Sequence, residues 1–378
     1  MAHQARQAIM PEAVDAPQPS NLNGVCMRIL LANPRGFCAG VYMAIDVIDQ
    51  LLDVLDGETI YAYHEIVHNR HVVERFEHRG VIFVEAVSEV PEGSILVFSA
   101  HGVSPTVRAE ADARNLISID ATCPLVTKVH AEAIRYAQRG WQILLIGHAD
   151  HQEVIGTKGE APDSIQVVDS IESIDQLQID DPEKLIYLTQ TTLSMDEAST
   201  IIEALKNTFP QIHEPPSDDI CYATTNRQRA VRKLAPECDL VIVVGSDNSS
   251  NSQRLRELAE ASGTRAVLID DRSELAHQDL STCETVLVTA GASAPEDLVQ
   301  ELILELIQTH GGRVEQHDVF HESVEFGLPG TLKKFMRSRG VDPANRRITM
   351  DNISSTSRFL NEHNVDHQVV DLTISVNP

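Results

Sequence analysis

Three times along this chain a short run rich in Val, Ile and Leu ends in a loop that carries one cysteine, and two further strand-like runs then end in polar loops. The first round passes from RILLAN into PRGFCAG with Cys38, then to HEIVHN with His68 and SAHGVS with His101. The second places Cys123 in ATCPLV, His151 in GHADHQEV and Thr191 in TQTTLS. The third places Cys221 in DDICYATT, Ser249 in VVGSDNSSNS and Ser293 in TAGASAP. The cysteines stand 85 and 98 residues apart. That is the size of a domain, well beyond the short period of a solenoid repeat.

Between these loops lie segments of helical periodicity, and strand–helix alternation of this kind reads as a parallel α/β fold. Ligands of such sheets bind at the carboxyl ends of the strands, which is where all nine loops fall. The predicted architecture is three similar α/β units with mostly parallel sheets around a pseudo-threefold centre. Their bounds are 27–114 around Cys38, 115–217 around Cys123 and 218–328 around Cys221. Residues 1–26, rich in Pro, Gln, Asn and Ala, read as a flexible tail, and 329–378 as a C-terminal extension of unknown order.

Charge removes several classes of function. With 56 acidic against 30 basic residues the formal charge is -26, so a broad cationic surface for nucleic acid is ruled out. No apolar run approaches the roughly 20 residues of a membrane span, and the N-terminus lacks the apolar core of a secretory signal. Six cysteines without an export signal point to a reducing cytoplasm, where thiols serve metals or redox chemistry.

Cys38, Cys123 and Cys221 each sit at a strand-to-helix junction, where backbone N–H groups and the helix dipole favour a thiolate and lower its pKa. Metal ligation follows naturally. Cys26, Cys238 and Cys283 lie elsewhere in the pattern and read as incidental thiols. Three thiolates leave one position open, and this admits either a catalytic zinc with bound water or an iron–sulfur cluster short of the usual fourth cysteine. Both metals accept soft sulfur ligands.

HEIVH, residues 64–68, satisfies the template in which His64 and His68 bind zinc and Glu65 activates water. The preceding TIYAY reads as a strand, so the motif straddles a strand end and lacks the helical context it needs. A further alternative is a non-catalytic redox sensor with a labile cluster. Such a protein has no use for polar loops converging on the same edge.

Nine blocks decide among these readings: ANPRGFCAGV, HEIVHNR, FSAHGVS, DATCPLVTKVH, GHADHQEV, TQTTLS, DDICYATTNRQ, VGSDNSSNSQRL and TAGASAP. In this order they resemble the 4-hydroxy-3-methylbut-2-enyl diphosphate reductase family, over residues 27 to about 328. The resemblance implies a three-lobed protein whose Cys38, Cys123 and Cys221 hold a four-iron four-sulfur cluster with one open iron for the allylic hydroxyl of the substrate. Two electrons and two protons then expel water, giving isopentenyl and dimethylallyl diphosphate, the last step of the methylerythritol phosphate route. His68, His101, Ser249, Ser250, Asn251 and Ser293 match diphosphate-binding positions. His151, Thr191 and Thr192 match substrate contacts, and Glu153, with His151 and Thr191, matches the proton-handling positions of the reacting end. The implied electron donor is a ferredoxin or flavodoxin. RQRAVRK, with Arg227, Arg229, Arg232 and Lys233, is a candidate face for docking it.

Overall fold

The structure is a computed structural model that describes residues 26–55, 57–343 and 352–373. The chain starts in strand β1 (Arg28–Asn33) and then builds a first sheet from β2 (Ile60–Tyr63), β3 (Ile82–Val84), β4 (Ile95–Phe98) and β5 (Ile117–Asp120). A second sheet follows, made of β6 (Gln142–Ile146), β7 (Ile165–Val168) and β8 (Leu185–Thr189). The third contains β9 (Leu240–Val244), β10 (Arg265–Ile269), β11 (Thr285–Ala290), β12 (Arg313–Asp318) and β13 (His367–Asp371).

The strand orders are β3-β2-β4-β5, β7-β6-β8 and β10-β9-β11-β1-β12-β13, and each pairing is parallel. Parallel sheets are covered by helices on both faces, so their strands are continuous apolar runs. LVIVV of β9 and ILVF of β4 are buried at every position.

Sheet membership divides the chain differently from the cuts at 114 and 217. Strand β1, read with residues 27–114, lies in the third sheet, where Arg28 is in register with both Thr285 and Arg313. Strand β5, read with residues 115–217, closes the first sheet beside β4. The reason is that local periodicity marks a strand but carries no information about a partner some 250 residues away. Each cysteine consequently caps the helix that carries the chain from one sheet to the next. These helices are Ala39–Val54, Pro124–Ala137 and Tyr222–Leu234.

The described part of 329–378 is not a loose extension. Leu332, Phe335 and Met336 of helix Gly330–Ser338 join the core of the first sheet with Ile48, Ile60 and Ile119. Leu360 of helix Asn352–Glu362 enters the core of the third sheet, and β13 pairs with β12. The fully buried Arg35 ties this segment to the first cysteine loop: its guanidinium donates to Glu296 Oε1 (2.6 Å) and Thr356 Oγ1 (2.8 Å). The expected tail, residues 1–26, lies outside the described residues apart from Cys26, which is exposed. No helix among the described residues is long and apolar enough to cross a membrane.

If helix Gly330–Ser338 is core, truncating Leu332 must be costly. Leu332→Ala is expected to lower unfolding free energy by about 2–5 kcal/mol, read from denaturant midpoints at constant slope.

Candidate active site

The local sequence places functional side chains at helix starts. Cys38 Sγ accepts from the Val41 N–H (3.5 Å). Cys123 precedes Pro124, whose fixed backbone suits the first helical position. Cys221 Sγ accepts from the Thr224 N–H (3.4 Å) and lies 3.2 Å from Thr224 Oγ1. His151 caps helix Gln152–Glu160 by accepting from the Glu153 N–H at Nδ1 (3.2 Å), and Ser249 caps Ser250–Ala261 through the Ser252 N–H (3.3 Å).

All of these loops meet at one cavity with about 740 Å³ of free space, part of it open to solvent. Cys38, Cys123, Cys221, His68, His101, His151, Glu153, Thr191, Thr192, Ser249, Ser250, Asn251 and Ser293 all line it. Every residue that the sequence reading assigned to the site is therefore in one place. Cys26, Cys238 and Cys283 lie outside it, and Cys238 Sγ is turned to the Leu234 carbonyl (3.4 Å).

Burial reverses the expectation of low thiol pKa values. It pushes Cys38 and Cys123 up and Cys221 up to about 11, outweighing the N–H groups of the helix starts. Charge on Cys38 further opposes charge on Cys123 and Cys221, so the thiolates need a cation between them. Gly40 keeps room there, because a Cβ on it would stand 2.5 Å from Cys123 Sγ. Among the described residues no three His, Cys, Asp or Glu side chains are grouped tightly enough for a single metal ion. By their chemistry three soft sulfur donors suit iron or zinc.

The HEIVH segment forms no helix. It follows β2 as bends, with His64 in a left-handed conformation (φ 56°) and bonded to Glu85 (2.6 Å). His68 instead turns into the cavity and stacks on His101 with ring centroids 4.0 Å apart, while His151 meets both edge-on. Burial holds His101 well below its usual pKa and pulls His151 down to about 4, with the neighbouring imidazoles adding to both effects. These two rings are therefore neutral at pH 7.

Beside them is a hydroxyl and amide lattice. Ser293 Oγ donates to the His68 carbonyl (2.8 Å), Asn251 Nδ2 donates to Thr224 Oγ1 (3.2 Å), and Asn251 Oδ1 accepts from the Ala292 N–H (2.9 Å). Thr192 Oγ1 donates to Ser250 Oγ (3.2 Å). Among the described residues no Lys or Arg lines the cavity.

Glu153 is the carboxyl of this wall and is only 2% exposed. Its two oxygens accept from the Thr191 N–H (2.7 Å) and hydroxyl (2.9 Å). Burial pushes its pKa up to about 7 despite those bonds. At neutral pH it can both give and recover a proton.

A family model described as LytB protein matches residues 29–307. The chain belongs to the LytB family. This LytB-family chain is 53% identical over 309 residues to the 4-hydroxy-3-methylbut-2-enyl diphosphate reductase of Rhodopirellula baltica, covering 82% of this chain and 97% of the relative. It is 52% identical to the reductase of the same name from Acidothermus cellulolyticus, over 85% of this chain and 94% of that one. The solved structure of the E-1-hydroxy-2-methyl-but-2-enyl-4-diphosphate reductase from Plasmodium falciparum aligns with a TM-score of 0.80 and 41% identity, covering 84% of this chain and 99% of the other.

Among the neighbours that sequence reading missed in this LytB-family site are Tyr222, Thr224 and Phe326. The first two stand in the opening turn after Cys221, where an N-capping residue and its helix face a common ligand, so spacing could have found them. Phe326 lies in a stretch without secondary structure and gave no signal. The expected basic face is also altered. Arg227 is buried, pairs with Glu322 (3.1 Å) and donates to the Gly36 carbonyl (2.8 Å).

The Glu153 assignment has a direct spectroscopic check. Difference infrared spectra against Glu153→Gln are expected to show a protonated carboxyl band at pH 5.5 that is lost as pH rises through about 7, since burial raises this pKa. A band already absent at pH 5.5 would mean an ordinary carboxylate.

Proposed function

We propose that this chain reduces (E)-4-hydroxy-3-methylbut-2-enyl diphosphate to isopentenyl and dimethylallyl diphosphate, the terminal step of the methylerythritol phosphate route. The observation that carries the reading is the convergence of three thiols, a buried carboxyl with a pKa about 7 and a lattice of hydroxyl and amide donors on one cavity. The names of its relatives, the reductases of Rhodopirellula baltica and Acidothermus cellulolyticus, support it.

Cys38, Cys123 and Cys221 would hold a four-iron four-sulfur cluster. When bound, that cluster supplies electrons one at a time and a Lewis-acidic iron. The remaining chemistry belongs to the chain. Ser249, Ser250, Asn251 and Ser293 offer O–H and N–H donors to the diphosphate, and His68 and His101 line the same cavity beside them. An anion beside the neutral, buried His101 imidazole favours its protonation, so charge can be matched on binding without a lysine.

At the reacting end Thr191 orients Glu153 through both carboxyl oxygens, and His151 lies beside it on the same helix start. The C–O bond breaks, two electrons and two protons are taken up, the hydroxyl leaves as water and one new C–H bond forms. Glu153 is the group placed to give a proton and be refilled. The electrons come from a one-electron carrier protein such as a ferredoxin or flavodoxin, and free thiols together with such a cluster suit a reducing cytoplasm.

Anaerobic turnover with reduced methyl viologen and mass analysis of the products tests this. The parent is expected to form both diphosphates. Glu153→Gln is expected to retain iron and bind substrate while losing about 10²–10⁴-fold in rate, the usual share of an acid–base group. The pH profile of the parent is expected to fall above about 7 as Glu153 ionises. Absent turnover, or near-parental turnover of Glu153→Gln at equal iron content, would refute the function or the proton source respectively.

A further inference from the structure

One run of basic residues in this acidic chain lies on a helix packed against the core of the first sheet. The stretch 330–340, GTLKKFMRSRG, carries Lys333, Lys334, Arg337 and Arg339 and no acidic residue, in a protein of formal charge -26. Helix Gly330–Ser338 buries Leu332, Phe335 and Met336, and this turns Lys334 and Arg337 outward into solvent. Arg339 is held by Glu58 (2.6 Å). Among the described residues Lys333, Lys334 and Arg337 make no ion pair.

The other basic helix does not compare. On Tyr222–Leu234, Arg227 is buried against Glu322, Arg232 pairs with Asp196 (2.5 Å), and Lys233 donates to the Leu372 carbonyl (3.0 Å). Among the described residues Arg229 is exposed there and makes no ion pair.

Position adds to charge. The core that receives Leu332 and Phe335 also packs Phe37, Val41 and Ala121, which flank Cys38 and Cys123. Thr331 Oγ1 accepts from the N–H of Asp120, three residues before Cys123 (3.1 Å). Lys333 Nζ comes within 3.7 Å of the place a Cβ on Gly327 would take, next to the cavity-lining Phe326. The helix that carries the basic face is thus tied at its first turn to the segment before Cys123 and packs on the core that also holds the residues flanking Cys38 and Cys123.

We propose that the exposed face of helix Gly330–Ser338, centred on Lys334 and Arg337, is the docking surface for an acidic one-electron carrier protein. This rests on the reductase reading, which requires an outside source of electrons. The carrier is oxidised by one electron per encounter, two encounters serve each turnover, and the protons come from within the cavity. A local cationic patch on a strongly anionic protein would orient an anionic partner and fix where it lands. Repulsion by the remaining surface disfavours other approaches.

The test uses the full chain, purified anaerobically, with Lys334→Glu and Arg337→Glu combined, and two reductants: a small acidic [2Fe–2S] ferredoxin and reduced methyl viologen. The variant is expected to lose about tenfold or more in kcat/KM for ferredoxin at low salt, mostly through KM, the scale that steering charges supply. Its viologen-driven rate is expected to match the parent. Added salt is expected to slow the ferredoxin reaction of the parent and leave that of the variant nearly unchanged. An unchanged ferredoxin rate, or an equal loss with both reductants, overturns the docking surface. A loss confined to Arg229→Glu moves it to the other helix and overturns it too. No turnover of the diphosphate by the parent with viologen would instead refute the reductase reading, and the docking surface with it.

Discussion

Parallel pairing puts the carboxyl ends of all strands of a sheet on one edge, and in this protein the loops leaving those edges in three sheets face a common cavity. The rest depends on that geometry. A parallel connection needs a helical crossover, so a residue at a strand end is also a residue at a helix start, with its side chain facing the cavity and its backbone held by a cap. Cys38, Cys221, His151 and Ser249 are each placed in this way. The three cysteines additionally stand where the chain leaves one sheet for the next, which brings residues 85 and 98 positions apart to one centre.

Such a centre is electrostatically demanding. Buried thiols resist ionisation, buried imidazoles lose their protons, and Glu153 retains its proton to near neutrality. Among the described residues no Lys or Arg lines the cavity, so none of these side chains offsets a charge that enters it. A metal group among the thiols and an anion among the imidazoles would each relieve the penalty that the fold imposes. The same poise keeps a proton on Glu153 at the pH where it has to be given away.

The site was legible because chemistry-bearing residues recur in the same order after three successive sets of strands, and because long blocks around them match one family. Cys123, His151 and Thr191 would have been unremarkable singly. What stayed hidden depends on distance in space. Nothing in RILLAN names β11 and β12 as its partners, so chain order alone keeps β1 with residues 27–114. Charge counting in RQRAVRK could not show that Arg227 turns inward to Glu322. The helix-dipole argument for low thiol pKa values was locally sound but took no account of how dry the cavity is. Leu332 and Phe335 looked like part of a polar appendage because the core they fill is made by residues far upstream.

The account stands most directly on what the three thiols hold. Iron, acid-labile sulfide and zinc should be measured together on protein purified without oxygen, and again after Ser replacement at each of the six cysteines. Iron and sulfide in equal amounts of several atoms per chain, with little zinc, lost on changing Cys38, Cys123 or Cys221 and retained on changing Cys26, Cys238 or Cys283, is the expected result. Zinc without sulfide, or a cluster that survives Cys221→Ser and is lost in Cys283→Ser, would contradict it.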